Sequence, residues 1–377
     1  MFRYVLKRTL LALVTMIILV TVVYLLVASF SKNPFSGGDP ENAAELAEKA
    51  GLNDPILVRF GRYIGDVFSG TFGKIYVPQG GESTSIPAFF FIPLKWTLLI
   101  TVPALIFSSL IGGSLGILAG YKRGTWIEAV VNVFVVTFIG LPSFVIAPIM
   151  ILIAVNSNGL ILFDFKLPED VGLLLSLKSL MLPILTVTLA SLAAYTILMR
   201  NQITTILTSN QVLIAKGKGL SSVDIFFKHI LRNISIPIIS FMLPSFVVLL
   251  AGNVVIEQFF NVPGSSSVII HAFPNGEINI IMFSIIFYAS ISLMIQILLD
   301  FLYIVIDPRI MFVERGKINY INNIINRVKV HKNYKLAMKN KKNGILPEEV
   351  SYDTATVDIE SLVGLKNYTS EVDEDEE

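Results

Sequence analysis

The residues from Asn210 to Ile239 read NQVLIAKGKGLSSVDIFFKHILRNISIPII and hold the densest set of functional groups in the chain. Lys216, Lys218, Lys228, His229 and Arg232 supply cations, and Gly217 and Gly219 supply conformational freedom. Neither glycine–lysine pair builds a phosphate loop: Gly217-Lys218 is followed by Gly219, and Gly73-Lys74 by Ile75, where Gly-x4-Gly-Lys-(Ser/Thr) is needed. The chain therefore has no ATP site of its own. Cysteine is absent, which excludes a thiolate metal site, a disulfide and a cysteine nucleophile. No cofactor, catalytic residue, metal site or nucleic-acid partner is expected. A lone histidine such as His229 on a basic helix reads as a structural hydrogen-bonder. The chemistry on offer is docking and the transmission of force. Ser209 or Asn210 can cap a short helix over Gln211 to Lys216. Gly217 and Gly219 are expected to stop it, each taking positive φ at little cost. A second helix starts near Val223, with Asp224 at its positive end, and feeds the next apolar run.

The elements that position this segment are apolar. Hydrophobic residues make up 54% of the chain and charged residues 15%, against roughly 25% charged in soluble domains; mean hydropathy is +0.71. Such a composition needs the bilayer as its second solvent. About 20 apolar residues cross the hydrocarbon, and six runs qualify: Leu10 to Phe30, Trp96 to Tyr121, Trp126 to Val155, Leu180 to Met199, Ile234 to Ile256 and Ile278 to Ile306. Pro142 and Pro148 should kink the third, and Pro237 and Pro244 interrupt the fifth. Gly112, Gly113 and Gly116 read as close helix packing. Asp300, Glu128 and Asn132 are the polar residues of interest within spans, each read as structural. The first run is too long for a signal-peptide h-region and reads as a retained anchor.

Lys and Arg set the orientation. Arg3, Lys7 and Arg8 precede the first span, Lys122 and Arg123 link the second to the third, and Arg309, Arg315 and Lys317 follow the sixth. The link between the fifth and sixth spans has no Lys or Arg. Both termini and the basic 200–233 loop are thus expected in the cytoplasm. Residues 31–95 form an external segment, with a helix from Pro40 to Ala50, a second from Ile56 to Phe68 and a loop over Pro78 to Pro87. The tail, 311–377, is basic and then acidic, ending in VDEDEE; its lysines suit anionic headgroups.

Several motifs in order resemble the permease subunits of ABC importers, in the dipeptide and oligopeptide branch. Ala215-Lys216-Gly217-Lys218-Gly219-Leu220-Ser221 is similar to that family's Ala-x-Ala-Lys-Gly-Leu-Ser coupling loop. His229-Ile230-Leu231-Arg232-Asn233-Ile234 and Pro237 follow it. Val254-Val255-Ile256-Glu257, Phe260 and Pro263-Gly264 resemble the family's external loop, and Asp300-Phe301-Leu302-Tyr303 and Asp307-Pro308-Arg309 its end. Gly37-Gly38-Asp39-Pro40, Gly51-Leu52-Asn53-Asp54-Pro55 and Gly70-Thr71-Phe72-Gly73 echo its external segment. The match spans about residues 1–310. Two positions depart: Gly217 stands for the second Ala, and Ser265-Ser266-Ser267 replaces the Gly after Pro-Gly-x.

The resemblance implies an all-α type I importer permease with its core over 96–310. It implies a bacterial plasma-membrane location and a second, homologous permease beside it. It further implies two cytoplasmic ATPases docked on Ala215 to Ser221 with His229, Arg232, Asn233 and Pro237, an extracytoplasmic binding protein and a peptide substrate. Gly219 is then the position least tolerant of a side chain. A secondary transporter would require paired acids in broken helices and inverted repeats, which the spans lack. A membrane-anchored scaffold would leave the glycine-broken loop and the proline-kinked spans without a purpose.

Overall fold

A computed structural model describes residues 2–37, 40–77, 85–157 and 161–306. Of the loop expected over Pro78 to Pro87, residues 78–84 lie outside the described residues, as do Gly38, Asp39, the motif from Asp307 and the tail at 311–377, while Ile86 and Pro87 are helical. The described residues are helical, without strands. In chain order the helices are α1 (Phe2–Phe30), α2 (Pro40–Lys49), α3 (Ile56–Ser69), α4 (Ile86–Tyr121), α5 (Trp126–Gly140), α6 (Ser143–Val155), α7 (Pro168–Val171), α8 (Leu173–Ser179), α9 (Met181–Leu207), α10 (Asn210–Gly217), α11 (Ser222–Asp224), α12 (Leu231–Gly252), α13 (Val254–Phe259), α14 (Ser265–Ala272) and α15 (Ile278–Ile306). A π-helical turn, Ile225–Ile230, joins α11 to α12.

Among the described residues, five helical stretches are long and apolar enough to cross a membrane: Val5–Phe30, Ile86–Tyr121, Leu173–Leu207, Ser222–Ala251 and Ile278–Tyr303. The third expected span is two helices, α5 and α6, bent by 104°. Pro142 explains the break. It disfavours helical geometry at the residue before it, and Leu141 is extended at φ −101° and ψ 104°. Pro148 lies inside α6 without ending it. Pro237 and Pro244 likewise sit inside α12, which runs unbroken to Gly252, short of the expected Ile256.

α4 and α9 run well past the apolar runs that predict them. α4 starts at Ile86, before the expected Trp96, because Ser85 accepts a hydrogen bond from Ala88 N at 3.4 Å and a proline fits the first turn. α9 continues past Met199 to Leu207, so Arg200 is helical and not part of the loop.

α4 and α9 form the central pair. Small residues permit their approach. A methyl on Gly112 would meet Leu192 O at 2.6 Å, and one on Gly116 would meet Thr196 O at 2.5 Å. Polar contacts tie further elements together. Glu128, at the start of α5, accepts from Gly124 N at 2.6 Å and from Arg200 Nε at 3.0 Å. Asp300 of α15 pairs with Arg8 of α1 at 2.5 Å. Both acids thus have the structural partners their positions within spans call for. At the other end of α15, buried Glu277 accepts from Tyr76 N at 3.0 Å and Val77 N at 2.6 Å.

Candidate functional site

Two polar assemblies stand out from the apolar helices. The first is built on α10. Its inner face is Val212 and Ala215, 0% and 2% exposed. They pack on Met199 and Ile203 of α9 and on Ile225, Ile230 and Ile234. Its outer face is apolar as well: Leu213 is 54% and Ile214 59% exposed. Lys216 and Lys218 are exposed beside them. Exposed leucine and isoleucine on a short helix, followed by basic residues, form an apolar patch that the other described residues leave uncovered.

The end of α10 has a defined cause. Gly219 takes φ +75°, its N–H donates to Lys216 O at 2.9 Å, and Leu220 N donates to Ala215 O at 3.3 Å. This pair of bonds is a Schellman ending, which needs a left-handed residue at Gly219. Gly217, expected to share that role, is the last helical residue instead, so only one of the two glycines breaks the helix. At the start of α10, Ser209 holds the cap position through its carbonyl, which accepts from Val212 N and Leu213 N, both at 3.1 Å. Its hydroxyl is buried and unpartnered.

Ser221 opens the next helix. Its Oγ accepts from Asp224 N at 3.1 Å and donates to Asp224 Oδ2 at 2.6 Å, and Lys228 pairs with Asp224 at 2.6 Å. Asn233 ties the two helices together: its Nδ2 donates to Gln211 Oε1 and to His229 O, each at 2.7 Å. The His229 hydrogen bond thus runs through its carbonyl, and its imidazole has no hydrogen-bond partner among the described residues. Arg232 is exposed, and Pro237 lies one turn further into α12. The buried Val212 and Ala215 contacts and the Gln211–Asn233 bond join α10 to the start of α12.

The second assembly surrounds Glu257, on α13, which is fully buried. Its Oε1 accepts from Thr97 Oγ1 at 2.6 Å and its Oε2 from Ser266 N at 3.1 Å. Thr97 Oγ1 also accepts from Ser265 N at 2.9 Å, and Ser265 Oγ lies 3.1 Å from Tyr288 Oη. One turn along α4, Thr101 Oγ1 accepts from Asn253 Nδ2 at 2.9 Å. Burial pushes the Glu257 carboxyl above the usual carboxylate range, with the Thr97 and Ser266 bonds opposing. Gly264 lies directly under that carboxylate, where a methyl would collide with it. Its φ of −86° needs no glycine, so close approach is what demands one here. Phe260 is 1% exposed and packs with Trp96 and Phe165, and its carbonyl accepts from Phe165 N at 3.0 Å.

Glu257, Phe260 and Gly264 are therefore a buried anchor for α13 and α14. Ser265 and Ser266, the departure from the family pattern, supply backbone donors to that anchor. Thr97, Thr101, Asn253 and Tyr288 escaped the sequence reading. Hydroxyls four residues apart at Thr97 and Thr101, on one face of an apolar helix, were the available signal. Among the described residues no cluster of metal-ligating side chains occurs.

Residues 112–312 match the family model described as binding-protein-dependent transport system inner membrane component. Residues 1–85 match the model for the N-terminal part of such membrane components. The chain is 31% identical over 331 residues to the oligopeptide transport system permease protein OppB of Mycoplasma genitalium, covering 86% of this chain and 80% of that one. It is 29% identical to OppB of Salmonella typhimurium, covering 83% of this chain and 100% of the relative. It is 28% identical to the dipeptide transport system permease protein DppB of Lactococcus lactis subsp. cremoris, covering 82% and 99%.

Proposed function

The chain belongs to the binding-protein-dependent transport system inner membrane component family, and from that premise we propose that it forms half of a peptide-conducting pathway driven by separate ATPases. It is a multi-pass permease subunit of an ABC importer. Relatives named for oligopeptide and dipeptide transport support a peptide substrate. A second permease lies against α12 in this reading. Among the described residues 11% of the apolar window over Ser222–Ala251 is buried, as for Val5–Phe30, against 39% for Ile86–Tyr121 and 44% for Leu173–Leu207.

α10 carries the reading. Its outer apolar pair, Leu213 and Ile214, docks in a cytoplasmic ATPase, and the rigid turn at Gly219 together with the Asn233–Gln211 bond passes the ATPase stroke into α12. The α10 end of the molecule and both termini face the cytoplasm, while residues 31–77 and the α13–α14 anchor face an extracytoplasmic binding protein. Lys216 and Lys218 tune association and its salt dependence more than its strength.

The test is uptake of labelled peptides of graded length by cells lacking this chain, with and without its restoration, alongside purification from the restored cells. Restored peptide uptake and a copurifying ATPase are expected. Unchanged uptake with no ATPase in the purified complex would refute the reading.

A further inference from the structure

Helix α3 places Arg59, Arg62, Tyr63 and Asp66 at i, i+3, i+4 and i+7, one face of a helix. With Lys74 and Tyr76 from the following segment they line a cavity of about 500 Å³, which Tyr24 of α1 also walls. The cavity is built and held. Phe60, Ile64 and Val67 on the adjoining side of α3 pack into an apolar cluster with α1. The Tyr24 and Tyr63 rings stack at 5.2 Å. Lys74 is positioned by its carbonyl, which accepts from Asn279 Nδ2 at 2.8 Å.

The charges of this lining do not balance. Four cations face the cavity: Lys49, Arg59, Arg62 and Lys74. Lys49 is matched by Glu45 at 2.5 Å, and Arg62 by Asp54. Arg59 and Lys74 have no ion-pair partner among the described residues. Arg59 is half-buried, and its polar neighbours include the neutral Tyr24 and Tyr76 side chains. Asp66 is the one carboxylate in the lining. Tyr63 adds a second deficit: it is 2% exposed and its hydroxyl has no hydrogen-bond partner. Burial raises its pKa, so it keeps its proton and remains a donor. A half-buried cation without a counter-charge and a buried donor without an acceptor are both unfavourable. A single group with negative oxygens corrects both.

We infer that this cavity binds a singly charged oxyanion, a carboxylate or a phosphodiester, between Arg59 and Lys74 with the Tyr63 hydroxyl as neutral donor. Asp66 opposes a second negative charge, which disfavours free phosphate or sulfate dianions. A carboxylate would come from a small solute. A phosphodiester would come from a bilayer lipid, since Tyr24 belongs to the membrane-crossing stretch Val5–Phe30.

Two arms separate these sources, both on the full-length chain in its purified complex. In the first, N-acetyl-dialanine, which has one carboxylate and no amine, is titrated calorimetrically. In the second, the complex is extracted from phosphatidylglycerol or phosphatidylcholine nanodiscs, and retained lipid is counted by native mass spectrometry. Arg59→Gln with Lys74→Gln should weaken the responsive arm about tenfold or more, a change equal to about 1.4 kcal/mol. Tyr63→Phe, which keeps the ring, should weaken it less. Lys49→Gln, whose charge is already matched, should leave it unchanged. The arm that responds identifies the source. Binding of neither probe by the wild type, or wild-type binding in both the double variant and Tyr63→Phe, would overturn the inference.

Discussion

Thr97 Oγ1 donates to Glu257 Oε1 across 2.6 Å, joining α4 to α13 over 160 positions of sequence inside a fully buried site. Gly264 completes the fit, because its missing side chain leaves room for that carboxylate. Gly264→Ala should destabilise the chain by about 1–3 kcal/mol through overpacking. In a Glu257→Ala background the same change should cost much less, since the colliding group is gone. Thermal unfolding of the four proteins in detergent gives the coupling. Additive effects would show that Gly264 and Glu257 do not meet.

The packing of α4 on α9 gives a sharp contrast between two glycines three positions apart. Gly116→Val should cost about 1–3 kcal/mol, because a methyl there already meets Thr196 O at 2.5 Å and Met199 Cβ at 2.6 Å. Gly113→Val should be mild, since its nearest neighbour is the flexible Met199 Cε at 3.3 Å. Detergent melting curves that rank the two variants the other way would contradict this helix interface.

Orientation is directly measurable in a chain without native cysteine. Phe68 on α3 is 88% exposed, and Lys218 after α10 is exposed as well. Phe68→Cys in intact cells should react with a membrane-impermeant maleimide, and Lys218→Cys should react only after permeabilisation. The reverse labelling pattern would invert the topology.

Much of this fold was legible in the sequence because hydropathy over long runs is a strong signal. Five runs became spanning helices, and the caps at Gly51 and Gly219, with φ of +68° and +75°, fell where the glycines stood. Charge at the ends was harder to read. Arg200 belongs to α9 because Glu128 receives it within the helix bundle, and no local pattern encodes a partner 72 positions away. The break at Leu141 was visible as Pro142, but its 104° depth depends on what α6 packs against. The Glu257 anchor was half visible. Its acid and Pro-Gly were plain, while the hydroxyls that hold it come from α4 and α15, far away in sequence.

The proposed function seats the outer face of α10 in an ATPase. Leu213 and Ile214 are 54% and 59% exposed, so Leu213→Glu with Ile214→Glu removes little buried contact among the described residues. Charges there would, however, be desolvated without partners in a docked groove. The deciding measurement is peptide-stimulated ATP hydrolysis by the complex reconstituted with its ATPases and binding protein. With membrane level and melting temperature unchanged, the double variant should hydrolyse ATP no faster with peptide than without it. Stimulation equal to wild type would remove α10 from the coupling mechanism.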